Sequence, residues 1–162
     1  MKKNETFCWL FSFSAYKSYF FVLLLLAFGL IARSQDTSLT VISNIKGAPA
    51  NMKLSELKSV FMGEKQRWSD DTKTKVTIAL MRMTTSAGKN TCSKVYNMSR
   101  QDVMGFLSNL YYAGKIDEPK TFKSAEELIS FLGDNPGAIG ITDKVLTNPN
   151  IKITLIDGRK SF

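Results

Sequence analysis

The stretch "RMTTSAGKN", Arg82 to Asn90, holds more usable chemistry than any other part of this sequence. Thr84, Thr85 and Ser86 place three hydroxyls in a row, each able to donate and to accept a hydrogen bond. Ala87 and Gly88 are small, so a ligand can approach the backbone there. Arg82 and Lys89 bring positive charge, and a guanidinium can hold an oxyanion through two parallel hydrogen bonds. Thr85 or Ser86 also reads as the N-cap of a helix running to about Asn97. The first N–H groups of a helix have no intrahelical partner, and the helix dipole favours negative charge beside them. The stretch is therefore chemically competent for a small oxyanion. The same hydroxyls would serve equally well in a plain helix cap. The residues alone leave both readings open.

Other chemistry is sparse. The chain contains no histidine, which removes the usual general base at neutral pH and the commonest zinc ligand. Cys92 falls inside the predicted helix, near Lys89 and Lys94, whose charge would lower its pKa. A lone half-buried cysteine is far more often structural than catalytic. No phosphate-cradling loop, dinucleotide fingerprint or metal-ligand spacing occurs, so no cofactor or metal is expected. Asp134, Asn135 and Asp143 gather in sequence around the "DNPG" turn. They lack calcium-loop spacing and read as solvated turn residues. A non-catalytic protein is the expectation.

Composition frames these residues. Lys and Arg number 22 against 14 Asp and Glu, for a net charge of +8 over 162 residues. Lys2, Lys3 and Lys17 precede or border an apolar block, Tyr19 to Ala32, which is followed by Ala32-Arg33-Ser34. That is a signal-peptide pattern, short for a membrane span, with cleavage expected before Gln35. An uncleaved anchor is the alternative. Removing Lys2, Lys3, Lys17, Arg33 and Glu5 lowers the net charge from +8 to +5. The lysines are spread rather than clustered, which argues against a nucleic-acid partner. Cys92 is then the sole cysteine, so the fold of residues 35–162 rests on packing without an internal disulfide.

The elements that must position Arg82 to Lys89 follow from periodicity and punctuation. "DTSLTVISN" (36–44) reads as a strand. Ser55 is expected to cap a helix that presents Leu54, Leu57, Val60 and Phe61 on one face and ends at Gly63. "KVTIALM" (75–81) is a strand apolar enough to be buried on both faces. The helix from Thr85 or Ser86 comes next, then one opened by Ser99 and Asp102 that carries Val103, Phe106, Leu107, Leu110 and Tyr111 and stops at Gly114. "KIDEPKTF" reads as a loop. Ser124 with Glu127 forms a capping box for a helix through Leu132. "IGIT" and "IKITLID" are strands. Phe61, Phe106, Tyr111 and Phe131 are expected in the core. Strands alternating with helices predict an α/β fold, a small mixed sheet of about four strands flanked by helices.

The order of these segments resembles a known family. "LSELKSVFMGEKQRW" resembles the part of phosphate-type periplasmic substrate-binding proteins of ABC transporters in which a helix ends in Ile-Phe-x-Gly and a tryptophan follows. "LYYAGKIDEPKTFKSAEELISFLGDNPGAIGITD" (Leu110 to Asp143) resembles their short single-domain members. The resemblance spans about Val41 to Asp143 and implies a single lobe of a type II periplasmic-binding-protein-like fold, with only the second lobe present. It further implies a periplasmic, exported protein that binds phosphate or a related small oxyanion. Arg82, Thr84, Thr85, Ser86 and Ala87 then stand where the family's Ser-Gly-Thr turn opens a helix. Ser86 replaces the glycine and Ala87 the second hydroxyl, while Ile141 replaces an aromatic. Trp68 is expected to pack rather than to touch ligand. A single lobe contacts an anion from one side, so a homodimer is one way to supply the other. The alternative is a ligand-free interaction module with an envelope membrane-protein partner.

Overall fold

Six strands form one mixed sheet, in the order β2-β6-β1-β5-β3-β4. In chain order they are β1 Thr40–Asn44, β2 Asn51–Met52, β3 Thr77–Met81, β4 Lys120–Phe122, β5 Ala138–Thr142 and β6 Ile151–Ile156. The helices are α1 Leu54–Phe61, α2 Ser86–Thr91, α3 Arg100–Tyr112 and α4 Ala125–Asp134, and α2 continues as one π-helical stretch, Cys92–Tyr96. These come from a computed structural model that describes residues 38–69, 73–144 and 147–162. The signal-peptide reading falls on residues 1–34, outside the described residues. The chain divides into two units, Met1–Asp36 and Thr37–Phe162, and everything described belongs to the second.

β1 lies between β5 and β6 and runs antiparallel to both, while β5, β3 and β4 are mutually parallel. All five residues of β1 and of β5 are buried, so both faces of the central sheet are covered. β3 is buried from Ile78 to Met81, as its continuous apolar run predicts. α4 lies across β1, β3, β4 and β5, and α2 packs on β3 and β5. Leu57, Val60 and Phe61 of α1 are fully buried, each worth roughly 1.5–3 kcal/mol of apolar transfer.

The six strands correct the expected four. β4 lies within the segment read as a loop. It has three residues, two of them exposed, and no alternation to betray it. Its pairing with β3 is what makes it a strand. β2 is two residues long and pairs with β6 in parallel. Ser55 is not a cap. The N-cap is Lys53, with no side-chain hydrogen bond, and Ser55 sits inside the helix. Gly63 does end α1, at φ +72, with its N–H donating to the carbonyl of Val60 at 3.1 Å. Phe61 is fully buried, while Phe106 and Phe131 pack partly buried against the core. Tyr111 is 44% exposed, because Val103, Leu107 and Leu110 already form the buried face of α3. Trp68 is buried, and its indole N–H donates to the carbonyl of Gly137 at 2.8 Å.

Candidate functional site

β3 delivers the chain to the stretch that carries the chemistry. Past Met81 the backbone makes a tight turn in which the Arg82 carbonyl accepts from the Thr85 N–H at 2.9 Å. It also accepts from the Thr85 hydroxyl at 2.7 Å. The Arg82 N–H donates to the carbonyl of Phe122 at 2.8 Å, so β4 braces the turn from the side. Thr85 is the N-cap of α2, extended at φ −77 and ψ 162, and its hydroxyl oxygen accepts from the Gly88 N–H at 3.1 Å.

The five predicted residues therefore separate into three roles. Arg82, Thr84 and Ser86 are exposed around the first turn of α2, with Lys89 exposed beside them. Thr85 is occupied by capping, since its hydroxyl both donates and accepts within the turn. The Ala87 side chain is fully buried in the core. Its methyl group has no donor to offer a ligand, and only its backbone stands at the helix start. Gly88 is also explained internally. A Cβ there would lie 2.1 Å from the Arg82 carbonyl oxygen, so its smallness lets the helix close on the turn rather than a ligand close on the helix.

The sheet adds residues that sequence spacing did not single out. β4 and β5 run parallel to β3, so the segments leaving them reach the same edge. Lys123 and Ser124 follow β4, and Asp143 and Lys144 follow β5. Ser124 caps α4 by accepting from the Glu127 N–H at 3.2 Å. The Glu127 carboxylate accepts from the Lys123 N–H at 3.0 Å, one residue earlier than a regular capping box. The Glu126 carboxyl is held below its ordinary range, first by its own backbone N–H, then by the Ser124 hydroxyl, with Lys144 adding attraction. Arg82, Lys123 and Lys144 thus share the carboxyl-end edge of the parallel strands, where open α/β sheets usually bind their ligands. Of these residues only the Ser124 cap had a readable sequence signal.

Two other expectations change. Burial raises the Cys92 pKa and outweighs the opposing pull of Arg100. The lysines invoked to lower it do not decide its state. The thiol is buried against Met83, with Sγ 3.1 Å from that thioether sulfur. Asp134 and Asn135 end α4 before β5, whereas Asp143 follows β5. The strand separates them, so the three do not gather.

The fold has solved counterparts. An ABC-type phosphate transport receptor from Vibrio cholerae matches with a TM-score of 0.60 at 11% identity, over 77% of this chain and 48% of that one. PstS from Borrelia burgdorferi matches with a TM-score of 0.55 at 13% identity, over 75% of this chain and 48% of that one. A Clostridium perfringens protein, described as a phosphate ABC-transporter substrate-binding protein and solved with bound phosphate, matches with a TM-score of 0.55 at 10% identity. That match covers 76% of this chain and 46% of the other. This chain has the fold of about half of such a receptor. No protein-family model and no curated sequence matches it. At these identities the likeness establishes fold, and it gives no support to a homodimer. Among the described residues, no helix is long and apolar enough to cross a membrane.

Proposed function

We propose that this chain is an exported, non-catalytic solute-binding-type lobe that takes phosphate or a related small oxyanion at the start of α2. One observation carries the reading. The β3–α2 turn holds Arg82, Thr84 and Ser86 exposed together at a helix start, on the carboxyl-end edge of the parallel strands. The two neighbours whose descriptions name phosphate transport support the choice of anion. Binding is expected to be weak, because one lobe supplies donors from one side and full enclosure of a ligand normally takes a cleft. A membrane transport or sensing component of the envelope is the corresponding protein partner.

The test is thermal unfolding of the full chain in millimolar phosphate, sulfate, molybdate and chloride. A ligand at a hundred times its dissociation constant stabilises by about 2.7 kcal/mol and moves the midpoint by several degrees. Arg82→Ala removes a charge-assisted contact of roughly 1.5–3 kcal/mol, so affinity should fall about tenfold or more while the fold survives. Ser86→Ala should cost less. A shift shared by all the anions, or one untouched by both substitutions, would sink the proposal.

A second reading has its own observation. Met104, Tyr111 and Tyr112 are 47%, 44% and 83% exposed on α3, beside a groove bounded by Pro119 and Thr121. Exposed aromatic residues of this kind favour a protein-contact surface. No anion response in the unfolding series, together with loss of partner capture in Tyr112→Ser, would select the ligand-free interaction module.

A further inference from the structure

A cleft of about 490 Å³ opens at the opposite edge of the sheet from the β3–α2 turn. β1 runs antiparallel to β5, so its end at Asn44 lies beside the start of β5, whereas Arg82 lies beyond the end of β3. Its lining includes Ile45, Ala48 and Pro49 together with Glu56, Lys65 and Lys152. We propose that it binds a small organic carboxylate carrying a hydroxyl or amino group.

Three features lead there. The wall after β1 is fixed rather than loose. The Ile45 N–H donates to Asn150, the Gly137 N–H to Lys46 and the Leu155 N–H to Ala50, at 3.0, 3.2 and 2.9 Å. A preformed wall lowers the ordering cost of binding. The charges come from separate elements and are already oriented. Lys65 Nζ lies 2.6 Å from Glu56 Oε1 and 5.6 Å from the centre of the Trp68 ring. Lys152 Nζ donates to the Ile45 carbonyl at 3.1 Å. The lining is also chemically mixed. An ammonium has three donors, so the bond to Glu56 fixes Lys65 without exhausting it. The Glu56 carboxylate keeps acceptor capacity for a hydroxyl or an amine.

Size narrows the ligand. Small-molecule sites span roughly 300–1,000 Å³, which is far more than an inorganic oxyanion fills. An organic acid can place its carboxylate by the lysines, its hydroxyl or amine by Glu56, and its carbon frame against Ile45, Ala48 and Pro49.

The experiment is calorimetric titration of the full chain with citrate and with L-glutamate, using acetate and chloride at matched ionic strength as controls. In a Trp9→Phe background Trp68 is the sole indole, and its emission gives a second readout through Lys65. Saturable binding of citrate or glutamate is expected. It should weaken at least tenfold in Lys65→Met and in Lys152→Met, and stay unchanged in Arg82→Ala. That last variant separates this cleft from the oxyanion turn, so either site can fail alone. The proposal is overturned if neither acid binds, if acetate or chloride gives the same response, or if lysine variants with unaltered midpoints bind equally well.

Discussion

A Cβ added to Gly88 would lie 2.1 Å from the carbonyl oxygen of Arg82. That oxygen already accepts from the N–H and the hydroxyl of Thr85, so it cannot move without breaking the turn. Gly88→Ala must therefore push α2 away from β3. Overpacking of this kind costs about 3 kcal/mol, and urea denaturation should show a loss of that order. The same substitution should weaken any anion response, because Arg82 and Ser86 would no longer share one rigid turn. A variant of wild-type stability would mean that the helix start has room that the geometry denies it.

How much of this could be read in advance depended on whether a signal was local. Thr85, Ser99 and Ser124 were readable as caps because capping is settled within three residues. Gly63 and Gly114 were readable as stops, and both have positive φ. β4 was hidden because a three-residue edge strand has no periodicity, and its identity comes from β3, some 40 residues earlier. β1 looked half-polar, yet Ser43 and Asn44 are buried and satisfied by distant partners, Ser43 by the Thr154 hydroxyl at 3.0 Å. The Arg82–Lys89 stretch was legible as a turn and helix start. That Ala87 faces the core and that Thr85 is spent on capping are properties of packing, which spacing alone does not encode.

Asn44 closes the end of α4. Its side-chain amide donates to the carbonyls of Leu132 and Gly133 at 2.7 and 3.1 Å, and its oxygen accepts from the Lys46 N–H at 2.9 Å. The last carbonyls of a helix have no intrahelical donors. Asn44→Ala would leave Leu132 only the longer bond from the Asn135 N–H, at 3.4 Å, and Gly133 without this donor. It should cost about 1–2 kcal/mol, measurable as a lower urea midpoint with an unchanged slope. Asn44→Asp should be worse at neutral pH, since a carboxylate would face two carbonyl oxygens. Equal stability of the two variants at pH 7 would remove the amide from this role.

Tyr96 tests the opposite case. Its ring stacks edgewise with Phe61 and Phe106, at centroid distances of 6.2 and 6.4 Å. Its hydroxyl is buried and makes no hydrogen bond among the described residues. Tyr96→Phe keeps both ring contacts and removes the unsatisfied group. Stability should rise by about 1 kcal/mol, or roughly 4 °C in the thermal midpoint. A loss of stability would show that the hydroxyl has a partner in solution.

Cys92 supplies the pH dependence. Burial raises its pKa above the unfolded value, so the folded state holds the proton more tightly. Its contribution to stability is complete below the unfolded pKa and is lost as pH rises through the folded one. Burial raises the Tyr96 pKa as well, so the two losses run in the same direction. Stability should therefore decline from about pH 8.5 upward. Cys92→Ala should cost about 1–2 kcal/mol at pH 7 through lost packing yet show a shallower alkaline decline than the wild type. In a Cys8→Ser background, where Cys92 is the sole thiol, iodoacetamide at pH 7.5 should label the native chain at least a hundredfold more slowly than the urea-unfolded chain. Rapid native labelling would reverse the assignment of a buried, protonated thiol and reopen Cys92 as a reactive group.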